Sequence, residues 1–499
     1  MRLGGLSGQG GGLLLSLVLG ACWPLAFAPF GWSYLAIALL AALFFLVQDS
    51  SPRVAAQRGY VFGFAAFAAG TYWIAITLHR FANMDWFLAG ALVALLAAYC
   101  ALYPALALWL AARFFRGGAR LLALPVLWVL GEWLRARLLT GFPWLATGYS
   151  QTGAFLGGFA PWLGQYGVGL ATAVVAALLA VMALRRSPLA MIAGGAALAT
   201  IYGAALAAAT VSFTHPSGAP LQVRLLQGNV PISEKWDAGR LDAILTRYAT
   251  LIAATPPGTQ LVVLPETAFP VFQTEIPQLI DNLRRWSAVH HATLIIGMPE
   301  VAGRDYYNAA LEIDGLAPLR WYRKQHLVPF GEYIPLPWLL APLVHDFMPG
   351  LGSFTAGREA SVLPVGGERA GMSICYEESF SRDVRKGVVQ GANFLINISD
   401  YAWYGHSIAA AQSLQMAAMQ AREEQKPDVR ATNTGITALI TPGGRVAVQL
   451  PQFVEGALDG RIQPMAGRTP FGRWGGWPFL ALALLLLALA YLPAIKRRR

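Results

Sequence analysis

The chain has 499 residues, 56% of them hydrophobic and only 13% charged, with a formal net charge of +11 at pH 7. Soluble chains carry about 25% charged residues, so this composition excludes an ordinary soluble protein and indicates a membrane protein. The positive charge does not imply nucleic acid, because the arginines are dispersed at helix ends instead of forming a patch with interleaved aromatics.

After a glycine-rich start at Gly8 to Gly12, read as a frayed end, apolar runs occur at 10–28, 32–48, 58–79, 86–112, 121–139, 162–184 and 189–211, with an eighth at 474–494. Each is close to the roughly 20 residues a spanning helix needs. Only Arg2 precedes the first run and further runs follow at once, so it reads as a retained span and not as a cleaved signal peptide. The stretch between the seventh and eighth runs has globular composition and is long enough for one domain with its own core. The predicted organisation is a seven-span membrane domain over 1–211, a globular domain over 212–473, and a final span with a basic tail over 474–499.

Arg53 and Arg58 follow the second run; Arg113, Arg116 and Arg120 the fourth; Arg185 and Arg186 the sixth; Lys496 to Arg499 the eighth. The opposite loops hold Arg80, and Arg135 with Arg137, of which Arg135 has Glu132 one helical turn away as an expected partner. The positive-inside rule then places both termini in the cytoplasm and the 212–473 domain outside it. Trp23, Trp32, Trp144 and Trp162, near run ends, read as interface anchors.

Within 212–473, runs rich in Val, Ile and Leu predict strands at 221–227, 260–264, 292–297, 307–313, 318–323, 370–374, 393–398, 436–441 and 445–449. Helical periodicity predicts helices at 239–254, 276–290 and 408–425, and the alternation predicts an α/β domain. Glu266, Lys324 and Cys375 each follow a predicted strand, and strand ends of α/β sheets are where catalytic groups gather.

Cys375 is the only cysteine of the globular half; Cys22 and Cys100 lie in apolar runs, so a disulfide framework is implausible. A lone thiol is by default a small buried hydrophobe. As a nucleophile it needs a base for its proton and a cation for the developing oxyanion, which Glu266 and Lys324 supply. A Cys-His pair through His326 or His406 shows no acidic or amide orienter in the sequence, and His290 with His291 has no i,i+4 partner, so no metal site is expected. No Walker-type loop is present, and no cofactor is implied.

The segments LPETAFP around Glu266, RKQHLVPFGEYIP around Lys324 and GMSICYEESF around Cys375 together resemble the nitrilase (carbon–nitrogen hydrolase) superfamily. That resemblance implies an αββα sandwich with a Glu-Lys-Cys triad. With the flanking spans and QGNVPISEKWD at 227–237, the chain is similar to the apolipoprotein N-acyltransferase family of bacterial inner membranes. The resemblance implies that Cys375 is the nucleophile, Glu266 the general base and Lys324 the oxyanion-stabilising cation, with Glu332 a second acid. Trp236, Tyr376 and Glu377 match further residues the family needs. At Asp400 to Tyr404 the sequence departs from the expected Asn-Asp-Ala-Trp-Phe, so the resemblance assigns no role to Asp400 or Tyr401.

The implied reaction moves an acyl chain from a membrane phospholipid, through a thioester on Cys375, to the α-amino group of the diacylglyceryl-cysteine of an apolipoprotein. The apolar, proline-rich segment 336–344, with Trp338, Leu339 and Leu340, is too short to span and reads as an arm dipping into the lipid interface; the alternative is a loop packed on the domain's own core. Two other classes remain open: a membrane-tethered amidase, which would not need seven preceding spans, and a transporter with an external binding module, which would need paired charges inside its spans.

Overall fold

The computed structural model describes residues 9–338 and 354–496. It separates into two compact units, one formed by the chain up to Ser212 together with the chain from Trp474 on, the other by Phe213–Arg473.

The first unit is helical. Among the described residues, Trp86–Phe114, Gly117–Arg135, Phe155–Arg185 and Pro188–Ala209 are long and apolar enough to cross a bilayer. Pro52–Gly70 and Trp73–Phe81 make a fifth such segment when taken together, bent by 54° at the break between them; Gly10–Ala26, Ser33–Val47 and Trp477–Tyr491 are apolar but shorter. Arg58 and Arg120, read from the sequence as loop charges, lie inside helices and are buried. Arg58 donates to Leu46 O at 2.6 Å, and Arg120 to Gln48 O at 2.5 Å and Ala112 O at 3.0 Å. Both guanidinium groups thus satisfy carbonyls that helix C-termini leave unpaired.

Trp23 and Trp144 do not act as exposed interface anchors within this unit: both are buried. The Trp23 ring packs edge-on against Phe62 and Trp128, and its Nε1 donates to Leu145 O at 3.2 Å. Trp32, by contrast, is exposed. Arg135 does not pair with Glu132 as expected; it donates to Phe142 O and to Trp144 O, while the Glu132 carboxylate accepts from Trp128 Nε1, Thr147 N and Thr147 Oγ1. Backbone carbonyls of the loop after the helix offer Arg135 partners that need no second buried charge.

The second unit contains β1 (Thr214–Pro216), β2 (Leu221–Gln227), β3 (Leu261–Val263), β4 (Thr293–Ala302), β5 (Asp305–Ile313), β6 (Arg320–Arg323), β7 (Val362–Val365), β8 (Glu368–Ile374), β9 (Phe394–Ser399), β10 (Asp428–Thr432), β11 (Ala438–Ile440), β12 (Val446–Gln449), β13 (Gly456–Ile462) and β14 (Met465–Gly467). Among the described residues they form two six-stranded sheets, in the orders β13-β2-β3-β4-β5-β6 and β12-β11-β10-β9-β8-β7, and a small β1-β14 pair. Each large sheet is parallel at its centre, β2 to β4 in one and β8 to β10 in the other, with antiparallel strands outside.

Strand alternation builds three apolar layers. Leu221, Val223 and Leu225 of β2 and Val263 of β3 face Met372 and Ile374 of β8, Phe394, Ile396 and Ile398 of β9, and Val429 of β10, forming the core between the sheets. The opposite face of the first sheet, including Leu226, Val262, Leu294 and Ile296, is covered by the helices Leu241–Ala253 and Pro277–His290 through Ile244, Tyr248, Ile252, Ile280 and Leu283. Val384 and Val388 of the helix Ser381–Val389 cover Leu395 on the outer face of the second sheet. The result is an αββα sandwich.

Candidate active site

Parallel pairing at the centre of both sheets points the C-terminal ends of β3, β8 and β9 the same way within each sheet, and the candidate residues follow such ends. After β3 the chain turns at Leu264-Pro265-Glu266-Thr267, held by Leu264 N to Ile295 O at 2.8 Å and Phe269 N to Gly297 O at 3.2 Å. Position 297 must be glycine: a Cβ there would lie 2.2 Å from Pro265 O and 2.7 Å from Glu266 Cα, and both are backbone atoms. This close approach of β4 sets where Glu266 stands.

The Glu266 carboxylate is buried and held at both oxygens. Oε1 accepts from Asn308 Nδ2 at 2.8 Å, and Oε2 from the backbone N–H of Asp400, just past β9, at 2.9 Å. Lys324, one residue beyond β6 and 1% exposed, has its Nζ 3.6 Å from Glu266 Oε1 and 2.9 Å from Glu332 Oε1. Its backbone is pinned by its own N–H to Asn308 O at 2.9 Å and by Gly357 N–H to its carbonyl at 2.8 Å. Glu332 closes the turn from Val328, accepting Val328 N at 2.7 Å on Oε2 while Oε1 takes Lys324 and the same Asn308 amide. One ammonium and one amide therefore bridge two buried carboxylates.

Cys375 follows β8 directly with a left-handed φ of 55°, at the start of the single 3₁₀ turn Cys375–Ser379. A non-glycine residue held there is a strained position of the kind found at functional sites. Glu377, 1% exposed, holds the turn. Its Oε2 accepts Ile374 N at 2.7 Å and Tyr322 OH at 2.7 Å; its Oε1 accepts Gln325 N at 2.6 Å and His326 N at 2.9 Å. Glu377 thus ties the cysteine turn to the segment that carries Lys324. The Tyr376 ring stands edge-on to His326 and Phe380.

The electrostatics couple these groups. Burial pushes the Glu266 carboxyl above the usual range; Lys324 opposes this, and the Glu332 and Asp400 charges reinforce it. Burial alone would lower the Lys324 ammonium, but Glu332, Glu266 and the Cys375 sulfur outweigh it and hold the proton more tightly than in water. Cys375 is pushed well above the ordinary thiol range by burial and then by Glu266, against the pull of Lys324. The arrangement can accept a proton at Glu266, attack through sulfur, and place a fixed cation beside charge developing on a carbonyl oxygen.

The other residues singled out from the sequence divide. Glu332 is in the cluster and Glu377 supports it. Trp236 is exposed, and it is the preceding residue, Lys235, that reaches Glu266. Trp338 is exposed, whereas Leu339 and Leu340 lie outside the described residues. His326, expected to lack an orienter, has one in Asp383, whose Oδ2 lies 2.8 Å from Nδ1. Asn308 and Lys235 were not singled out from the sequence, and Asp400, left there without a role, holds Glu266 Oε2 through its N–H. Asn308 had a visible signal, an amide inside the otherwise aromatic and apolar run Tyr306 to Leu311; Lys235 had none beyond its place beside Trp236.

A family model described as the apolipoprotein N-acyltransferase N-terminal domain matches residues 19–178, and one described as carbon–nitrogen hydrolase matches residues 222–471. The chain is 39% identical to an apolipoprotein N-acyltransferase of Methylococcus capsulatus, over 98% of this chain and 96% of the relative. Others from Ralstonia nicotianae and Nitrosomonas europaea are 40% and 38% identical, over 97% and 98% of this chain and 93% and 98% of theirs. Nearly full-length identity at this level, with both family models in their expected halves, shows that the chain belongs to the apolipoprotein N-acyltransferase family and carries a carbon–nitrogen hydrolase domain as its globular unit.

Proposed function

We propose that this protein transfers a fatty acyl chain from a membrane phospholipid to the α-amino group of the diacylglyceryl-cysteine of apolipoproteins, by a ping-pong route through a thioester on Cys375. The observation that carries the reading is the convergence of Glu266, Lys324 and Glu332 on one buried cluster that Cys375 joins electrostatically. Cys375 Sγ attacks the ester carbonyl of the sn-1 chain as Glu266 takes the thiol proton. Lys324 Nζ and a backbone N–H of the Cys375 turn receive the oxyanion. Collapse breaks the C–O bond, and the Glu266 proton passes to the departing lysophospholipid oxygen. The amine then attacks the thioester, its proton goes to Glu266, a C–N bond replaces C–S, and the thiol is restored.

In this reading Trp236, Tyr376 and Glu377 support the site, and the segment with Trp338, Leu339 and Leu340 guides acyl chains. The 212–473 domain faces the periplasm, between a seven-span domain over 1–211 and a last span over 474–499. Both termini then lie in the cytoplasm, an arrangement supported by the arginine distribution. Incubation of the full chain with phospholipid vesicles, followed by intact-mass measurement, tests the chemistry. A single hydroxylamine-sensitive acyl increment is expected on wild type and none on Cys375→Ala. Wild type without an adduct refutes the acyl-enzyme.

A further inference from the structure

Lys235 and Asp400 form an ion pair in which each residue is 2% exposed. A buried pair of this kind seldom stabilises a fold more than apolar residues of the same size, because desolvation consumes most of the attraction. Its connections point elsewhere. Lys235 Nζ donates a second bond, 3.1 Å, to the main-chain carbonyl of Glu266, while the Asp400 N–H holds Glu266 Oε2 at 2.9 Å. Asp400 is itself fixed: its Oδ1 accepts Ala402 N at 2.9 Å and Asn433 Nδ2 at 3.1 Å. Asn433 in turn exchanges bonds with the Val230 backbone, 2.9 Å to its N–H and 2.7 Å to its carbonyl, just before the helical turn Ile232–Lys235. The pair therefore joins the helical turn carrying Lys235 to the loop beyond β9, and both meet Glu266 at atoms other than the Oε1 that Asn308 holds.

We propose that Lys235 and Asp400 are positioning residues that fix Glu266 for proton transfer, Lys235 at its main-chain carbonyl and Asp400, through its N–H, at its carboxylate. This deepens the reading of Glu266 as the base and rests on it. The charged and titratable groups around Glu266 are Lys324, Glu332, Asp400, Cys375 and the buried Tyr404, with Lys235 compensating Asp400. Removing Lys235 leaves the Asp400 charge uncompensated beside Glu266 and strengthens its hold on a proton; neutralising Asp400 does the opposite.

The experiment follows the rate of acyl-enzyme formation on the full-length protein with phosphatidylethanolamine vesicles, as a function of pH, with a thermal melt for each variant. In Lys235→Met the acid limb is expected to move to higher pH by on the order of one unit, with acylation at pH 7 slowed on the order of tenfold. In Asp400→Asn the limb moves to lower pH, because the backbone N–H contact survives and only the charge is lost. The double variant Lys235→Met, Asp400→Asn buries no unpaired charge; its limb returns near that of wild type while the rate stays on the order of tenfold low, the carbonyl contact being absent. If the single variants do not fold, the double variant decides by its rate: a wild-type rate overturns the proposal. Limbs unmoved in both single variants, with only the melting temperature lowered, reduce the pair to a structural element. Absence of acylation in wild type, or undiminished acylation in Glu266→Gln, overturns the reading of the base beneath it.

Discussion

Glu332→Gln is the sharpest probe of the charge cluster. One Asn308 nitrogen donates to Glu266 Oε1 and Glu332 Oε1 at 2.8 Å each, so these oxygens stand no more than about 5.6 Å apart. At an effective dielectric of about 20, two unit charges at that separation repel by about 3 kcal/mol, a repulsion that raises the proton affinity of Glu266. The amide removes this repulsion and leaves Lys324 Nζ, 3.6 Å from Glu266 Oε1, with Glu266 as its remaining carboxylate partner. Both changes lower the proton affinity of Glu266. A base must be ionised to accept a proton, so the acid limb of acyl-enzyme formation moves to lower pH; the weaker base then slows the plateau, by roughly tenfold. The neutral side chain also fails one of the three donors Lys324, Asn308 and Val328, at a stability cost of about 1–3 kcal/mol. Intact-mass time courses from pH 4 to pH 9 give the profile. A limb that stays in place, or moves to higher pH, refutes the charge argument.

Gly297→Ala is expected to slow acylation at least tenfold without touching a reacting group, because its Cβ displaces Pro265 and Glu266; a variant with wild-type rate shows that the β3 turn does not set the position of the base. Asp428, fully inside the second sheet, has a carboxyl pushed from 3.8 to about 7 by burial and then by the Glu378 charge, against Arg430. Above pH 4 the unfolded chain releases this proton while the folded one retains it, so stability falls as pH rises toward 7 and then levels off. Asp428→Asn is therefore expected to melt higher than wild type at pH 8, by the equivalent of a few kcal/mol, and like wild type at pH 4. An offset of equal size at both pH values removes the buried carboxyl as its cause.

The elements legible in the sequence were those whose side chains obey one rule. β2 was placed residue for residue at 221–227, and the helices of the first sheet to within two residues, because apolar periodicity alone sets them. The strands missed break that rule. β7 carries Pro364, tolerable because it is an edge strand, and β13 carries two glycines and an aspartate that pairs with Arg224 across the register. β10 is Asp-Val-Arg-Ala-Thr, wholly buried, its Arg430 made tolerable by an ion pair to Glu378 that no local pattern reveals. The same limit governed the site. Glu266, Lys324 and Cys375 stand out in the sequence because each is a reactive residue type just beyond a strand end. The roles of Lys235 and Asp400 could not be read there, since their contacts to Glu266 span 31 and 134 residues, and the amide of Asn308, although visible beside an apolar run, gave no sign of a partner 42 residues away.

The resting charge of the site constrains how the thiol can act. Two carboxylates share one ammonium, and Lys324 is drawn to Glu332 at 2.9 Å more closely than to Glu266 at 3.6 Å, so no full positive charge is left over to hold a thiolate. Burial, and then the Glu266 charge, push the Cys375 thiol well above its ordinary range against the pull of Lys324, and so favour the thiol over the thiolate. That direction argues against a preformed ion pair, the device of low-pKa cysteine enzymes. In the proposed mechanism proton removal then accompanies sulfur attack, a step that a Glu266 with both oxygens fixed and a raised affinity for the proton would serve. A neutral thiol also suits the proposed donor. An acyl chain brings apolar surface against the sulfur, and burying a thiolate there would cost far more than burying a thiol. In that mechanism charge develops on the carbonyl oxygen in the transition state, and Lys324, already held by Glu332 and Glu266, would meet it without reorganisation.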